Sequence, residues 1–314
     1  MPDTDRTPAP TGIILVDKPE GITSHGVVSR LRRALGTRKV GHAGTLDPMA
    51  TGLLVAGVGS STRLLTFLVG LDKQYEATIR LGRATTTDDR EGEFLGEERS
   101  ALDLDSERIA DAVRELTGVI QQRPSSVSAI KVDGQRSYAR VRAGEDVELP
   151  AREVTVSEFE LLDRREPEHP RGAVDLDVRV TCSSGTYIRA LARDLGEALG
   201  VGGHLTALRR TRVGPFALDR SHGLDAISEA EAPRSLLRAA ADIAGLLFPA
   251  VSLDADQSRD IVHGKRIPLE HGDAPTVAAV APDGSLLALL EVRRGSARVV
   301  TGFPQDTGVQ GGGR

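Results

Sequence analysis

The chain has 314 residues, of which 39% are hydrophobic and 27% charged, and its net charge is -5 at pH 7. This composition excludes a disordered or fibrous chain, and no run reaches the roughly 18 apolar residues of a membrane span. The single cysteine, Cys182, excludes an intrachain disulfide, and the polar N-terminus lacks the apolar segment of a secretory signal, so we expect a cytoplasmic protein. The histidines are scattered without metal-ligand spacing, so we expect no metal site.

The N-terminal part of the chain mixes short strands and helices. Apolar runs bounded by Gly, Pro and Asp predict strands, and apolar residues at helical spacing predict helices. The predicted elements are a strand at 12–16, a helix capped by Ser24 and ended by Gly36, a strand at 53–58, a helix at 62–69 and a strand at 75–81.

The rest of the chain continues with consecutive strands, which favour an antiparallel or mixed sheet over a doubly wound one. A small β-rich module follows a boundary near Gly245. The predicted elements are a helix at 106–116 capped by Ser106, strands at 154–162 and 174–181, helices at 187–199 and 229–241, a helix at 254–263, and strands at 276–280, 286–293 and 297–301.

The acidic total, with a pI of about 5.9, is unusual for a nucleic-acid-binding protein. The charge is not distributed evenly along the chain, because two segments carry an excess of basic side chains. These are Arg30, Arg32, Arg33, Arg38 and Lys39, and then Arg209, Arg210 and Arg212. Both solvated surfaces and nucleic-acid contacts agree with such clusters.

The segment from Lys39 to Gly52 packs several glycines, His42 and Asp47 into a stretch with little apolar periodicity. Such loops commonly let the backbone approach a ligand. Asp47 precedes Pro48, however, and an aspartate before a proline is also a common start of a helix. The spacing alone leaves both interpretations open.

Several motifs stand in the order found in a known family. They are Asp17-Lys18-Pro19-x-Gly21-x-Thr23-Ser24, Gly41-His42-x-Gly44-Thr45-Leu46-Asp47-Pro48, Lys73-x-Tyr75, Ser128-Ala129-x-Lys131, Ser184-Gly185-Thr186-Tyr187-Ile188-Arg189 and Leu208-Arg209-Arg210. Over residues 12–216 the sequence resembles the TruB family of bacterial tRNA pseudouridine-55 synthases.

The resemblance implies an α+β pseudouridine synthase core with a mixed, mainly antiparallel sheet and a small β-rich C-terminal domain similar to a PUA domain. We expect a disordered tail at 1–11, a catalytic domain at 12–243 with a thumb-like insertion at about 124–150, a PUA-like domain at 244–305 and a disordered tail at 306–314. The implied reaction is the isomerisation of uridine-55 in the T loop of tRNA, by base flipping and without a cofactor.

The resemblance makes Asp47 the nucleophile, with Arg189 as the cation that keeps its carboxylate ionised. The ring of Tyr75 would stack on the flipped uracil, and its hydroxyl would move a proton. His42 would fill the space left by the flipped nucleotide. The implied substrate-binding residues are Lys18, His42, Tyr75, Tyr187 and Leu208. Structural roles stay open for Tyr75, as a core residue of its strand, and for His42, as a loop residue.

Contacts with the RNA backbone are expected from a set of basic residues: Arg33, Lys39, Lys131, Arg209 and Arg210. The sequence departs from the family in Arg123-Pro124-Ser125-Ser126-Val127, where an aromatic residue is common. The partner implied is the T arm of tRNA, with no membrane contact and a monomeric enzyme. A tRNA folding chaperone without essential catalysis is the alternative. Because the chain begins almost at the first strand, we expect a stand-alone enzyme and not the guide-RNA-dependent, dyskerin-type branch.

Overall fold

The computed structural model describes residues 9–125 and 149–304, together with the backbone of two short strands, Lys131–Val132 and Gln135–Arg136. Both terminal tails and most of the expected insertion at 124–150, including the Lys131 side chain, fall largely outside the described residues. The chain forms two compact units. The first comprises Met1–Asp47, Leu53–Val69 and Pro215–Arg314, and the second Pro48–Gly52 and Gly70–Gly214.

The helices are numbered in chain order. They are α1 (Ser24–Leu35), α2 (Leu65–Val69), α3 (Ser106–Glu115), α4 (Ile188–Ala198), α5 (Leu224–Glu229), α6 (Ala240–Leu247) and α7 (Ala255–Val262), with 3-10 turns at Gly59–Leu64, Leu218–Arg220 and Pro233–Leu236.

The strands are numbered in the same way. They are β1 (Gly12–Lys18), β2 (Val40–His42), β3 (Thr51–Val58), β4 (Lys73–Leu81), β5 (Ala84–Thr85), β6 (Phe94–Leu95), β7 (Gly118–Gln122), β8 (Lys131–Val132), β9 (Gln135–Arg136), β10 (Arg152–Arg165), β11 (Val174–Cys182), β12 (Gly203–Val213), β13 (Phe216–Ala217), β14 (His222–Gly223), β15 (Ala250–Ser252), β16 (Ile267–Pro268), β17 (Ala274–Val280), β18 (Leu286–Arg293) and β19 (Ser296–Gly302).

In the first unit, β1 lies between β14, to which it is parallel, and β3, which pairs antiparallel with β2. Helix α1 buries its apolar stripe in the core formed with β1 and β3. Its exposed arginines lie in the last turn, where their positive charge interacts favourably with the helix dipole. The predicted stop at Gly36 is confirmed, because this glycine adopts the left-handed conformation with φ of 65°.

The predicted helix caps were each wrong by one residue. The cap of α1 is Thr23, which accepts a hydrogen bond from Gly26 N, and the cap of α3 is Asp105, which accepts one from Arg108 N. In both places two adjacent residues are good caps, so the sequence cannot decide between them. The displacement frees the Ser24 side chain for another contact.

The C-terminal residues of the first unit build a sheet in the order β15-β17-β18-β19-β16, with its own apolar core. Helix α7 packs on this sheet and begins with a capping box between Asp254 and Gln257. The expected small β-rich C-terminal module is therefore confirmed.

The second unit contains the antiparallel strand order β12-β4-β11-β10-β7. Its central strand β4 alternates buried and more exposed residues, and α4 packs on β12 and β4. Thr51 and Gly52 pair in parallel with Arg209 and Arg210 of β12. Most pairs are antiparallel and a few are parallel, so the predicted mixed, mainly antiparallel architecture is confirmed.

The helix predicted at 229–241 was wrong. Helix α5 ends at Glu229, and a 3-10 turn follows at Pro233–Leu236. The backbone is extended at Arg238, because this residue exchanges two backbone hydrogen bonds with Ile13, at 2.9 and 2.8 Å. A continuous helix would have used those backbone groups internally, so pairing with β1 overrides the local helix propensity. Among the described residues no helix is long and apolar enough to cross a membrane.

Candidate active site

The glycine-rich loop that carries Asp47 is held at both ends by backbone hydrogen bonds. Its first residues form β2, and Ala43 N then donates to Val55 O at 2.9 Å. No helix starts after Asp47: Pro48 and Met49 form a turn that leads into β3. The interpretation of Asp47 as a helix cap is therefore wrong, and the residue is half-buried.

Ser24 fixes the residue immediately before Asp47. Its Oγ donates to Leu46 O at 3.0 Å and accepts from Leu46 N at 2.9 Å, and the Ser24 residue is only 2% exposed. The start of α1 thus holds both backbone polar groups of Leu46, which restricts the conformation of the loop at Asp47.

Lys18 and His42 belong to the same unit as Asp47. Lys18 is fully buried, and its ammonium group donates to Pro19 O at 3.0 Å and Ile22 O at 2.7 Å. It therefore stabilises the turn that follows β1. The half-buried ring of His42 and the ring of His25 are nearly perpendicular, with centroids 6.0 Å apart.

Strands β4 and β12 bring Tyr75, Leu208 and Arg210 to one face of the second unit. Tyr75 lies directly opposite Arg210, and Ala77 opposite Leu208, so these side chains point to the same side of the sheet. Tyr75 and Leu208 are each 8% exposed, whereas Arg210 is 1% exposed. The burial of Arg210 leaves its side chain little exposed surface for contact with RNA phosphates.

Arg209 points to the opposite face of β12, since successive residues of a strand alternate. It is half-buried and donates to Thr51 Oγ1 at 3.2 Å. Arg33 and Lys39, the other described residues expected to contact the RNA backbone, are exposed.

Lys73, which belongs to the Lys73-x-Tyr75 motif but was expected to have no role of its own, is a buried cation. It is 5% exposed, shares a face of β4 with Tyr75, and donates to Leu71 O at 2.6 Å. Burial, and then the nearby charge of Arg210, lower the pKa of Lys73 to about 8. The alternation of β4 predicts this burial, because a lysine two residues before a buried tyrosine lies on the same face of the strand.

Tyr187 caps helix α4, and its position is set by Gln122 at the end of β7. The Gln122 side chain donates to Tyr187 O at 3.0 Å and accepts from Tyr187 N at 2.8 Å. The guanidinium of Arg152 lies 4.8 Å from the centroid of the half-buried Tyr187 ring, a cation–π contact. Neither partner was predicted, because their proximity depends on the pairing of β7 with β10.

Arg189 follows in the first turn of α4 and is 4% exposed. Its Nη1 donates to Thr87 O at 2.8 Å, and its Nε lies 3.5 Å from Asp89 Oδ2. These two partners give the buried guanidinium a defined orientation.

Models of known protein families match three successive parts of the chain. Residues 32–188 match the TruB family pseudouridylate synthase N-terminal domain. Residues 189–242 match the tRNA pseudouridylate synthase B C-terminal domain, and residues 248–304 the C-terminal domain of tRNA pseudouridine synthase II. The chain belongs to the TruB family of pseudouridine synthases.

Relatives of similar length support this assignment. The tRNA pseudouridine synthase B of Leifsonia xyli subsp. xyli is 58% identical over 301 residues, which are 94% of this chain and 97% of the relative. The corresponding protein of Thermobifida fusca is 57% identical over 293 residues, 93% of this chain and 98% of the relative. This TruB family member is therefore an isomerase.

Solved structures show the same fold. A chain of an H/ACA RNP bound to a substrate RNA containing 2'-deoxyuridine matches with a TM-score of 0.69 at 23% identity, over 98% of this chain and 93% of that one. A chain of a Cbf5-Nop10-Gar1 complex gives a TM-score of 0.67 at 26% identity, over 94% and 84% of the two chains. These two chains thus share the fold of this TruB family member.

Proposed function

We propose that this chain converts uridine-55 in the T loop of tRNA to pseudouridine, with Asp47 as the nucleophile. The observation that carries the proposal is the 58% identity with a tRNA pseudouridine synthase B over 94% of the chain. The local structure around Asp47 supports it, because the loop is anchored by its backbone while the carboxylate is not used to start a helix.

The reaction needs no net gain or loss of atoms. The bond between N1 of uracil and C1′ of ribose breaks, the base turns, a bond forms between C5 and C1′, and the proton of C5 is released while N1 gains one. The Asp47 carboxylate takes part in each of three routes: addition to the sugar, addition to the base, or formation of a glycal intermediate.

Arg189 and Tyr75 have separate tasks in the proposed reaction. Arg189 keeps the nucleophile ionised when the flipped base excludes water, and its contacts with Thr87 and Asp89 give it a fixed orientation. Tyr75 stacks on the uracil and moves a proton through its hydroxyl. Its burial on the face shared with Leu208 fits a pocket for a flat base.

The outer residues bind the folded T arm by shape and phosphate contacts. The exposed Arg33 and Lys39 and the half-buried Arg209 are suited to phosphates. Lys18, His42, Tyr187 and Leu208 form the proposed substrate-binding set, and the enzyme acts alone, without a guide RNA, as a cytoplasmic monomer.

The test is tritium release from an unmodified tRNA transcript labelled at C5 of uridine, with the product nucleotide mapped. We expect release by the wild type, loss of release with Asp47→Asn, and normal release with Asp111→Asn, which makes the same change at an exposed position on α3. A transcript with cytidine at position 55 should give no release.

A further variant examines the proposed role of Tyr75. Tyr75→Phe keeps the stacking ring but removes the hydroxyl, and we expect a rate loss of about 100-fold or more with tRNA binding retained. Wild-type protein that binds tRNA without any release would contradict the proposed reaction and favour the alternative, a tRNA folding chaperone.

A further inference from the structure

Two arginines on one face of α4 hold three consecutive residues of the turn after β5. Arg189 contacts Thr87 and Asp89, and Arg193 Nη1 donates to Asp88 Oδ2 at 3.2 Å. Residues four apart are neighbours on a helix surface, so both arginines contact the turn at residues 87–89 from the same side.

The middle residue of this turn has an uncommon backbone conformation. Asp88 is 8% exposed and has a φ of 60°, in the left-handed region that non-glycine residues rarely occupy. Such a residue changes the direction of the chain, which lets the Thr87 carbonyl and the Asp89 carboxylate face the same guanidinium. The conformation costs energy and therefore needs other contacts to hold it.

Those contacts converge on one oxygen atom. Asp88 Oδ2 accepts from Ser125 Oγ at 2.6 Å and from Arg193 Nη1 at 3.2 Å. Burial raises the pKa of Asp88, while the Ser125 hydrogen bond and the charge of Arg193 act in the opposite direction. The backbone of Asp88 is also fixed, because its carbonyl accepts from Leu205 N at 3.0 Å.

Asp89 is oriented by the turn itself. Its Oδ1 accepts from Thr87 Oγ1 at 2.6 Å and from Glu91 N at 3.0 Å. Its other oxygen, Oδ2, is the one that faces Arg189. The orientation of the Arg189 guanidinium therefore depends on the shape of this turn, and the shape of the turn depends on Asp88.

Arg193 is itself held from more than one side. Its Nη2 donates to Arg123 O at 2.7 Å, and its guanidinium also bonds the Asp194 carboxylate. Both Arg123 and Ser125 lie just after β7, so the Asp88 contact links that segment, the turn and α4 within the second unit.

We propose that Asp88 is a positioning residue for the isomerisation: held by Ser125 and Arg193, it fixes the Thr87–Asp89 turn against Arg189 and so sets the direction of the Arg189 guanidinium. The inference rests on the proposed role of Arg189 in the reaction. Asp88 does not itself act on the uridine.

Two substitutions distinguish the contribution of the left-handed backbone of Asp88 from that of its side-chain oxygen. Asp88→Gly permits the left-handed backbone but removes the carboxylate, whereas Asp88→Asn keeps one oxygen that can accept from both Ser125 and Arg193. We expect Asp88→Gly to lower the single-turnover rate about tenfold at saturating tRNA, since small misplacement of a reacting group costs up to about 100-fold. Asp88→Asn should restore the rate to within about threefold of the wild type, and tRNA affinity should stay within about twofold for both.

The matched control is Asp175→Asn. Asp175 is also buried and paired with an arginine, Arg80, at 2.7 Å in the same unit, but it contacts neither Arg189 nor the turn. It should lose stability with no loss of rate. If Asp88→Gly does not fold, Arg193→Met removes the same contact from the helix side and should show the same pattern of lower rate at unchanged affinity.

A double-mutant cycle with Arg189→Lys decides whether Asp88 acts through Arg189. We expect Arg189→Lys to be slow, and the addition of Asp88→Gly to slow it no further. An equal effect of Asp88→Gly in both backgrounds would overturn the positioning role, as would a wild-type rate for Asp88→Gly or an equal rate loss in Asp175→Asn. A wild-type rate for Arg189→Lys would instead contradict the proposed role of Arg189, and the inference would fail with it.

Discussion

Replacement of Ser24 by alanine is expected to affect both stability and the rate of isomerisation, because Ser24 satisfies both backbone groups of the residue before the proposed nucleophile. The Ser24 hydroxyl forms two hydrogen bonds with Leu46, at 3.0 and 2.9 Å, in a buried place. In Ser24→Ala the N–H and the C=O of Leu46 both lose this partner.

The size of the effect can be worked out from these contacts. An unsatisfied buried donor or acceptor costs about 1–3 kcal/mol, so two of them, with some relaxation of the loop, should lower the free energy of unfolding by about 2–3 kcal/mol. A typical domain is stable by about 5–15 kcal/mol, so the variant should still fold. The loosened loop should slow the reaction by about tenfold or more, since Asp47 is then less well placed.

The assay combines denaturant unfolding with single-turnover pseudouridine formation. Ser29→Ala is the matched control: Ser29 lies on the same helix, is exposed, and makes one hydrogen bond to His25 O at 3.0 Å. It should change stability by less than about 0.5 kcal/mol and leave the rate unaltered. If Ser24→Ala matched Ser29→Ala in both measurements, the anchoring of the loop by Ser24 would be refuted.

Two other predictions concern stability. Lys73 has a pKa of about 8 against 10.5 for an ordinary lysine, so the unfolded state binds more protons between these values and the wild type gains stability as pH rises. The stability advantage of Lys73→Met over the wild type should therefore shrink by about 2 kcal/mol between about pH 7 and about pH 9.5 in urea unfolding. Gly52→Ala should cost about 3 kcal/mol or more, measured in the same way, because Gly52 has a φ of 96° and an added Cβ would overlap the Arg210 carbonyl.

Each of these has a control on the same chain. Lys39→Met removes an exposed lysine and should show no comparable change with pH, and a pH-independent difference for Lys73→Met would contradict the lowered pKa. Gly70→Ala adds a Cβ that meets nothing within 4 Å, so it should be close to neutral. An equally small effect at Gly52 would show that the backbone there is free to shift.

The sequence predicted the parts of the fold that have a clear apolar period. Strands β4, β10 and β11 and helices α1 and α4 were found, because their buried residues repeat at two or at three to four positions. Strand β12 was missed, although it is central, because Arg209, Arg210 and Arg212 interrupt its apolar residues. Its polar side chains are satisfied by partners distant in sequence, which no local pattern reveals.

In the candidate site too, some residues were predicted from the sequence and others were not. The motifs identified Asp47, Tyr75 and Arg189, whose roles stay predictions that the proposed experiments test. The contacts of Ser24 and Asp88 were not predicted: Ser24 was expected only as a helix cap and Asp88 had no expected role, since their partners lie 22 and 37 residues away in the chain. Only the pairing of the strands and the packing of the helices bring them together.

The burial of Cys182 has a practical consequence for measurements on this enzyme. The only thiol of the chain is 1% exposed, and burial raises its pKa to about 11, so at neutral pH it is protonated and out of reach of alkylating reagents. A cysteine introduced on the surface would therefore react selectively with a maleimide dye. The chain also contains no tryptophan, so an introduced indole would be its single strong intrinsic fluorophore. Site-specific optical reporters of RNA binding can thus be built without first removing any native residue.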